Sequence, residues 1–167
     1  MLDIMDAMTA SVREGERPSV DDISQTIEFL RVFVDKCHHT KEEQLLFPAV
    51  RAAGIPAVED VIVALLAEHV QGRGSVSRIA EMAERLSDGD ESAAPELADA
   101  MSGYTKLLRE HIVREENDCF SAADSELPAH VQAELEQGYD RIERDVVGGG
   151  VHESFHALLD RLAQQYL

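Results

Sequence analysis

The chain predicts an all-α fold, a four-helix core braced by two further helices at the C-terminal end. Aromatic residues make up 5%, Trp is absent, and Ala, Leu, Glu, Gln and Arg dominate. That mixture favours helix and gives strands little to pack with. Apolar residues recur at steps of three or four, and Gly and Pro clusters separate the periodic stretches. With 167 residues, 44% of them apolar, the chain suits one domain. Residues 1–125 are expected to form the bundle, its first helix short at its start, and 126–167 a helical extension packed on it.

The first helix follows from Ile4, Met8 and Val12 and stops at Gly15 and Pro18. A second opens near Ser19, where Asp21 and Asp22 suit the positive end of the helix dipole, and runs to Phe47-Pro48. Its stripe is Ile23, Ile27, Leu30, Val34, His38, Glu42, Leu45 and Ala49, with His39 and Glu43 about 100° round. After Gly54-Ile55-Pro56 a third helix reaches about Leu86, facing Val58, Ile62, Leu65, His69, Val76, Ile79 and Ala83 inward. Gly72 and Gly74 sit in its interior at a cost of about 1 kcal/mol each, marking close helix approach or a kink. Ser87 to Pro95 reads as a polar loop. A fourth helix to about Ala122 aligns Leu97, Met101, Tyr104, Leu108, His111, Glu115 and Cys119. A fifth follows Leu127-Pro128, with Val131, Leu135, Ile142 and Val146 inward. Gly148-Gly149-Gly150 separates it from the last.

An excess of 33 acidic over 15 basic residues gives a charge of −18, which repels phosphate backbones and anionic lipid surfaces. Neither nucleic acid nor a membrane is an expected partner. Cys37 and Cys119 are too few for a disulfide framework and fit a reducing cytosol as small core residues. No apolar run reaches the roughly 18 to 20 residues of a membrane span, and Met1 to Met8 carries two Asp and no base. A cytoplasmic location is expected.

The chemistry lies in a repeat. His38 to Phe47 and His111 to Phe120 both read His, then a base and two acids, then Phe nine residues after the His. His and Glu four apart share a helix face. Two such helices aimed at one axis make half of a di-iron carboxylate site. His69 adds a third imidazole from a third helix. One His on an apolar stripe is usually a core residue with local partners. Three of them beside two carboxylates would bury charges costing several kcal/mol each if unpaired. The donor set His38, Glu42, His69, His111 and Glu115 suits iron, with manganese and zinc fitting the same mixture, and its size points to two metals.

These segments resemble the hemerythrin-like, HHE cation-binding family. The second-helix motif is similar to Cys37-His38-His39-Thr40-Lys41-Glu42-Glu43-Gln44-Leu45-Leu46-Phe47-Pro48. The third is similar to Leu66-Ala67-Glu68-His69 with Gly72-Arg73, and the fourth to His111-Ile112-Val113-Arg114-Glu115 with Phe120 and Ala123-Asp124. The resemblance implies an up-down four-helix bundle in which His38, Glu42, His69, His111 and Glu115 bind a non-heme di-iron centre, the glutamates bridging. It further implies a small-molecule partner such as oxygen, peroxide or nitric oxide, with peroxidase- or catalase-like turnover an open question. Two departures stand out. The family's first-helix His has no counterpart before His38, so either the start lies upstream or another group fills that position. Oxygen carriers have another His one turn before His69, where this chain has Leu65, so sensing, detoxification or iron handling is favoured over carriage.

His152-Glu153-Ser154-Phe155-His156 matches the two-His, one-Glu zinc-protease pattern, but no His and only Asp160 follows as a third donor. It reads as a polar helix face, or as a place from which His152 or His156 folds back to supply the absent ligand. His39 is expected behind the metal ligands or at the surface, with a place among the ligands as the alternative. Tyr104 is expected in the core and His130 at the surface. The rival function is a metal-free or zinc-stabilised helical module whose acidic surface binds a protein.

Overall fold

Helix boundaries fall where capping chemistry puts them. The computed structural model describes residues 1–56 and 58–167, and of Val147 the backbone alone. α1 spans Leu2–Arg13. α2 starts at Val20, where the Ser19 hydroxyl accepts from the Asp22 N–H, a side-chain cap on an otherwise orphaned donor. It runs as Val20–Phe29, passes through wide π-helical turns at Leu30–His39 and Glu42–Leu46, and finishes as Phe47–Ala53. Gly54 ends it in the left-handed conformation (φ 66°) that favours glycine. α3 is Val58–Ser87. α4 is Ala93–Arg114, continued by a π turn at Glu115–Phe120 and by Ser121–Glu126. α5 is Ala129–Ile142 with a π turn at Glu143–Val147, and α6 is Val151–Tyr166. Among the described residues there are six helices and no strand, as an all-α bundle requires.

Ion pairs and hydrogen bonds set the directions. Asp6 meets Arg109 at 2.9 Å and Thr105 at 2.7 Å while Arg13 meets Asp99 at 3.2 Å, so α1 runs antiparallel to α4. Arg78 and Arg85 of α3 both reach Glu96 near the start of α4, an antiparallel pairing again. Two apolar clusters result. One gathers Met8, Ile27, Leu30, Ile79, Met101 and their neighbours, the other Phe47, Val50, Ile62, Leu65, Cys119 and Ala123. On α2, α3 and α4 the His and Glu residues fall between the two clusters.

The extension uses separate halves of α2. α6 lies on α1 and on the first half of α2. Phe155 sits edge-on to Phe29 at 5.2 Å, and Asp22 receives Arg161 (2.7 Å), Tyr166 (2.8 Å) and Gln165 (2.9 Å). α5 lies on the second half, closely enough that a Cβ on Gly138 would come within 2.7 Å of Leu45 Cδ1.

The structure departs from ideal periodicity where turns widen. A π turn closes with i→i+5 bonds and so takes one more residue than an α turn. Along α2 the stripe Ile23, Ile27, Leu30 holds, but beyond it burial passes to Cys37, His39, Glu42, Leu46 and Val50. Val34, His38, Leu45 and Ala49, expected inward, are each only partly buried. Val146, also expected inward, is 49% exposed because the Glu143–Val147 turn and the glycines after it rotate it outward. On α3, Met82 rather than Ala83 is fully buried. Gly72 and Gly74 do not mark a forced close approach. A Cβ on Gly72 would meet only Tyr104, at 3.9 Å, and one on Gly74 nothing within 4 Å. No helix among the described residues is long and apolar enough to cross a membrane.

Candidate metal centre

α2, α3 and α4 converge on one polar cluster between the apolar ones. Glu42, His69, His111 and Glu115 are 1–3% exposed, and one donor atom from each lies within 4.8 Å of the others. His69 Nε2 stands 3.3 Å from Glu42 Oε2 and 4.0 Å from Glu115 Oε1. His111 Nε2 stands 2.7 Å from Glu115 Oε1. His38 approaches from the rim with Nε2 3.6 Å from Glu42 Oε1 and 3.8 Å from Glu115 Oε2, its side chain 42% exposed. All of the proposed donors therefore meet at one place.

Hydrogen bonding shows what they need. His69 Nδ1 lies 2.8 Å from Glu43 Oε1, and His111 Nδ1 lies 2.9 Å from Glu68 Oε2. A carboxylate only accepts, so each Nδ1 carries the proton, and in the neutral ring Nε2 presents a lone pair. Arg73 grips Glu43 (2.8 Å) and Asp35 (2.7 Å), and Arg114 grips Glu68. An imidazole pinned by a carboxylate behind it is the usual arrangement of a metal-binding histidine. Among the described residues the buried side-chain atoms lacking a hydrogen-bond partner are Glu42 Oε1 and Oε2, His69 Nε2, His111 Nε2, Glu115 Oε1 and His39 Nε2, all of them here. The short His111 to Glu115 approach thus lacks hydrogen-bond geometry. Converging oxygen and nitrogen lone pairs repel unless a cation or a proton stands among them. The donor set fits a metal.

Without a metal, protons take up the strain. Burial alone would depress His69, but the carboxylates of Glu115, Glu42 and Glu43 outweigh it and raise it to about 9. Burial likewise works to raise Glu115, yet His111, His38 and His69 hold it far below the usual carboxylate range. Burial raises Glu42 despite His69 and His38. Burial pushes Cys119 up to about 12, with Glu42 and Glu115 adding to it, so this thiol is an inert filler at neutral pH.

The remaining histidines separate. His39, expected off the inner face, is 5% exposed and stacks on His69 with ring centres 3.8 Å apart. The widened turn is what brings it in. His152 does fold back onto α2, with Nε2 3.9 Å from Cys37 Sγ, but it groups with Cys37 and Glu143 and not with the cluster. His156 and His130 are exposed. Sequence reasoning missed Asp35, Glu43, Glu68, Arg73 and Arg114, which hold the rings. The signals available were their places in the motifs: Glu43 in the second, Glu68 and Arg73 flanking His69 in the third, and Arg114 in the fourth.

The geometry agrees with the comparisons. The Hemerythrin HHE cation binding domain matches residues 1–123, and the chain belongs to that family. Curated relatives include uncharacterized proteins of Mycobacterium bovis and of two Mycobacterium tuberculosis strains, CDC 1551 and H37Rv. Each is 25% identical over 158 residues, which is 90% of this chain and 60% of the relative. The chain therefore spans less than two thirds of their length. No solved structure matches it.

Proposed function

We propose that the chain holds a non-heme di-iron centre that reacts with oxygen, peroxide or nitric oxide. The observation that carries this reading is that the unpartnered buried donor atoms of the described chain all lie in one cluster, supplied by His39, Glu42, His69, His111 and Glu115, with His38 approaching the two glutamates from the rim. Mixed imidazole and carboxylate donors suit iron, and the two glutamates, reaching between helices, suit a pair. An iron pair there supplies reversible electron transfer and open positions for a small ligand. Glu43 and Glu68 orient the His69 and His111 rings and fix their tautomer. Leu65, Phe47 and Cys119 exclude water from the far side.

Access is built in. A cavity of about 220 Å³ lined by Leu30, Val34, Gly72, Val76 and Tyr104 includes His39, which lies against the donor cluster. Its apolar wall suits diatomic ligands and peroxide.

The test is anaerobic loading with iron(II), followed by separate mixing with oxygen, peroxide and nitric oxide while the near-ultraviolet and visible spectrum is recorded. The reading predicts a ligand-to-iron band with at least one of them. Oxygen bubbles from peroxide identify a catalase-like role and reversible colour a carrier. A protein that takes up no iron, with an unchanged melting temperature, belongs instead to the metal-free interaction class.

A further inference from the structure

We propose that His39 supplies a sixth protein donor to the metal pair. This rests on the metal reading above and adds a residue to it. Three observations carry it. First, His39 repeats the arrangement of His69 and His111. Its Nδ1 faces the Asp35 carboxylate at 3.3 Å, and Arg73 holds that carboxylate from behind at 2.7 Å. Its Nε2 is buried without a partner. A ring pinned at Nδ1 by a carboxylate presents Nε2 to a metal.

Second, position. One ring nitrogen of His39 lies within 4.8 Å of ring nitrogens of both His69 and His111. Its ring stacks on His69 at 3.8 Å and stands nearly perpendicular to His111 at 5.9 Å. His39 therefore faces the same point from α2 as the other two do from α3 and α4. His38, by contrast, has no carboxylate behind it and stands at the rim against the glutamate oxygens.

Third, among the described residues no side chain of α1 joins the donor cluster. The acids of its described range, Asp3 and Asp6, are both engaged by Arg109, two residues before His111. The wide turn at Leu30–His39 is the device that serves two neighbouring histidines. An α turn sets successive residues about 100° apart, whereas the wider turn narrows that angle, so that His39 reaches inward while His38 stays at the rim of the same centre.

The experiment adds cobalt(II) in steps to the metal-free protein, wild type and His39→Phe, following the visible spectrum. Phe keeps the stack on His69 and the burial but removes the donor. The expected result is two tight equivalents for the wild type. In His39→Phe at least one equivalent should weaken 100-fold or more, and the spectrum should change. Asp35→Ala, which frees the ring without removing it, should weaken binding 10- to 100-fold. Unchanged affinity and spectrum in His39→Phe overturn the assignment while leaving the di-metal reading intact. A wild type that binds no cobalt overturns that reading and this one with it. Should His39→Phe fail to fold, the cobalt-loaded wild type decides by proton NMR. The N–H of the exposed His38 exchanges with solvent, so the slowly exchanging, paramagnetically shifted imidazole N–H signals come from buried rings alone and number three if His39 is bound with His69 and His111, and two if it is not.

Discussion

At the scale of single residues, the centre opposes stability. Glu42 and Glu115 are buried beside each other with oxygens left bare, and such groups cost about 1 to 3 kcal/mol each when unsatisfied. Glu42→Ala and Glu115→Ala are therefore expected to leave helical content largely unchanged. They should also abolish the ligand-to-iron band and the metal-induced rise in melting temperature, measured by circular dichroism with and without iron. Full iron retention in both variants would contradict the assignment. Arg73→Ala acts at one remove. It frees Asp35 and Glu43 together, and equilibrium dialysis against a chelator should show metal affinity falling about 10- to 100-fold.

At the scale of helices, much was legible and the exceptions share a cause. On α4 the stripe from Leu97 to Cys119 is buried as periodicity requires, except for the half-buried Leu108, and His111 and Glu115 lie on it. On α2 the same rule placed Glu42 correctly but put His38 too deep and left His39 outside, because nothing in the residue pattern announces a π turn. Long-range pairings such as Glu68 with Arg114 were equally invisible, since they depend on how α3 meets α4.

The brace on α2 has its own pH signature. Burial would raise the Asp22 carboxyl, but Arg161, Tyr166, Ser19 and Gln165 hold it below the usual 3.8. A depressed folded-state value means the contribution is fully present above the unfolded pKa and is lost as pH falls through the folded one. Asp22→Asn is expected to lose about 2 kcal/mol at neutral pH, and its gap to wild type in urea melts should shrink below pH 3.8. A gap that stays constant into that range would show that Asp22 does not carry the docking of α6. On α3, Gly74 is exposed with open space around its Cβ position. Gly74→Ala should accordingly raise stability by about 1 kcal/mol, or roughly 3 °C in melting temperature.

For the whole molecule, two apolar clusters clamp a polar seam. The clusters stabilise the fold, while the seam holds donors that only a bound cation or protons can satisfy. Metal should accordingly stabilise by mass action, with a melting temperature that rises with free iron and falls back on chelation. Acid should release it, because the imidazoles and carboxylates must shed protons to bind. The most direct single test is iron K-edge X-ray absorption on anaerobically loaded protein with its metal content determined. The account predicts about two irons per chain, a nitrogen- and oxygen-only shell and an iron-to-iron scattering feature. One iron or none per chain, or no iron-to-iron scattering, would contradict it.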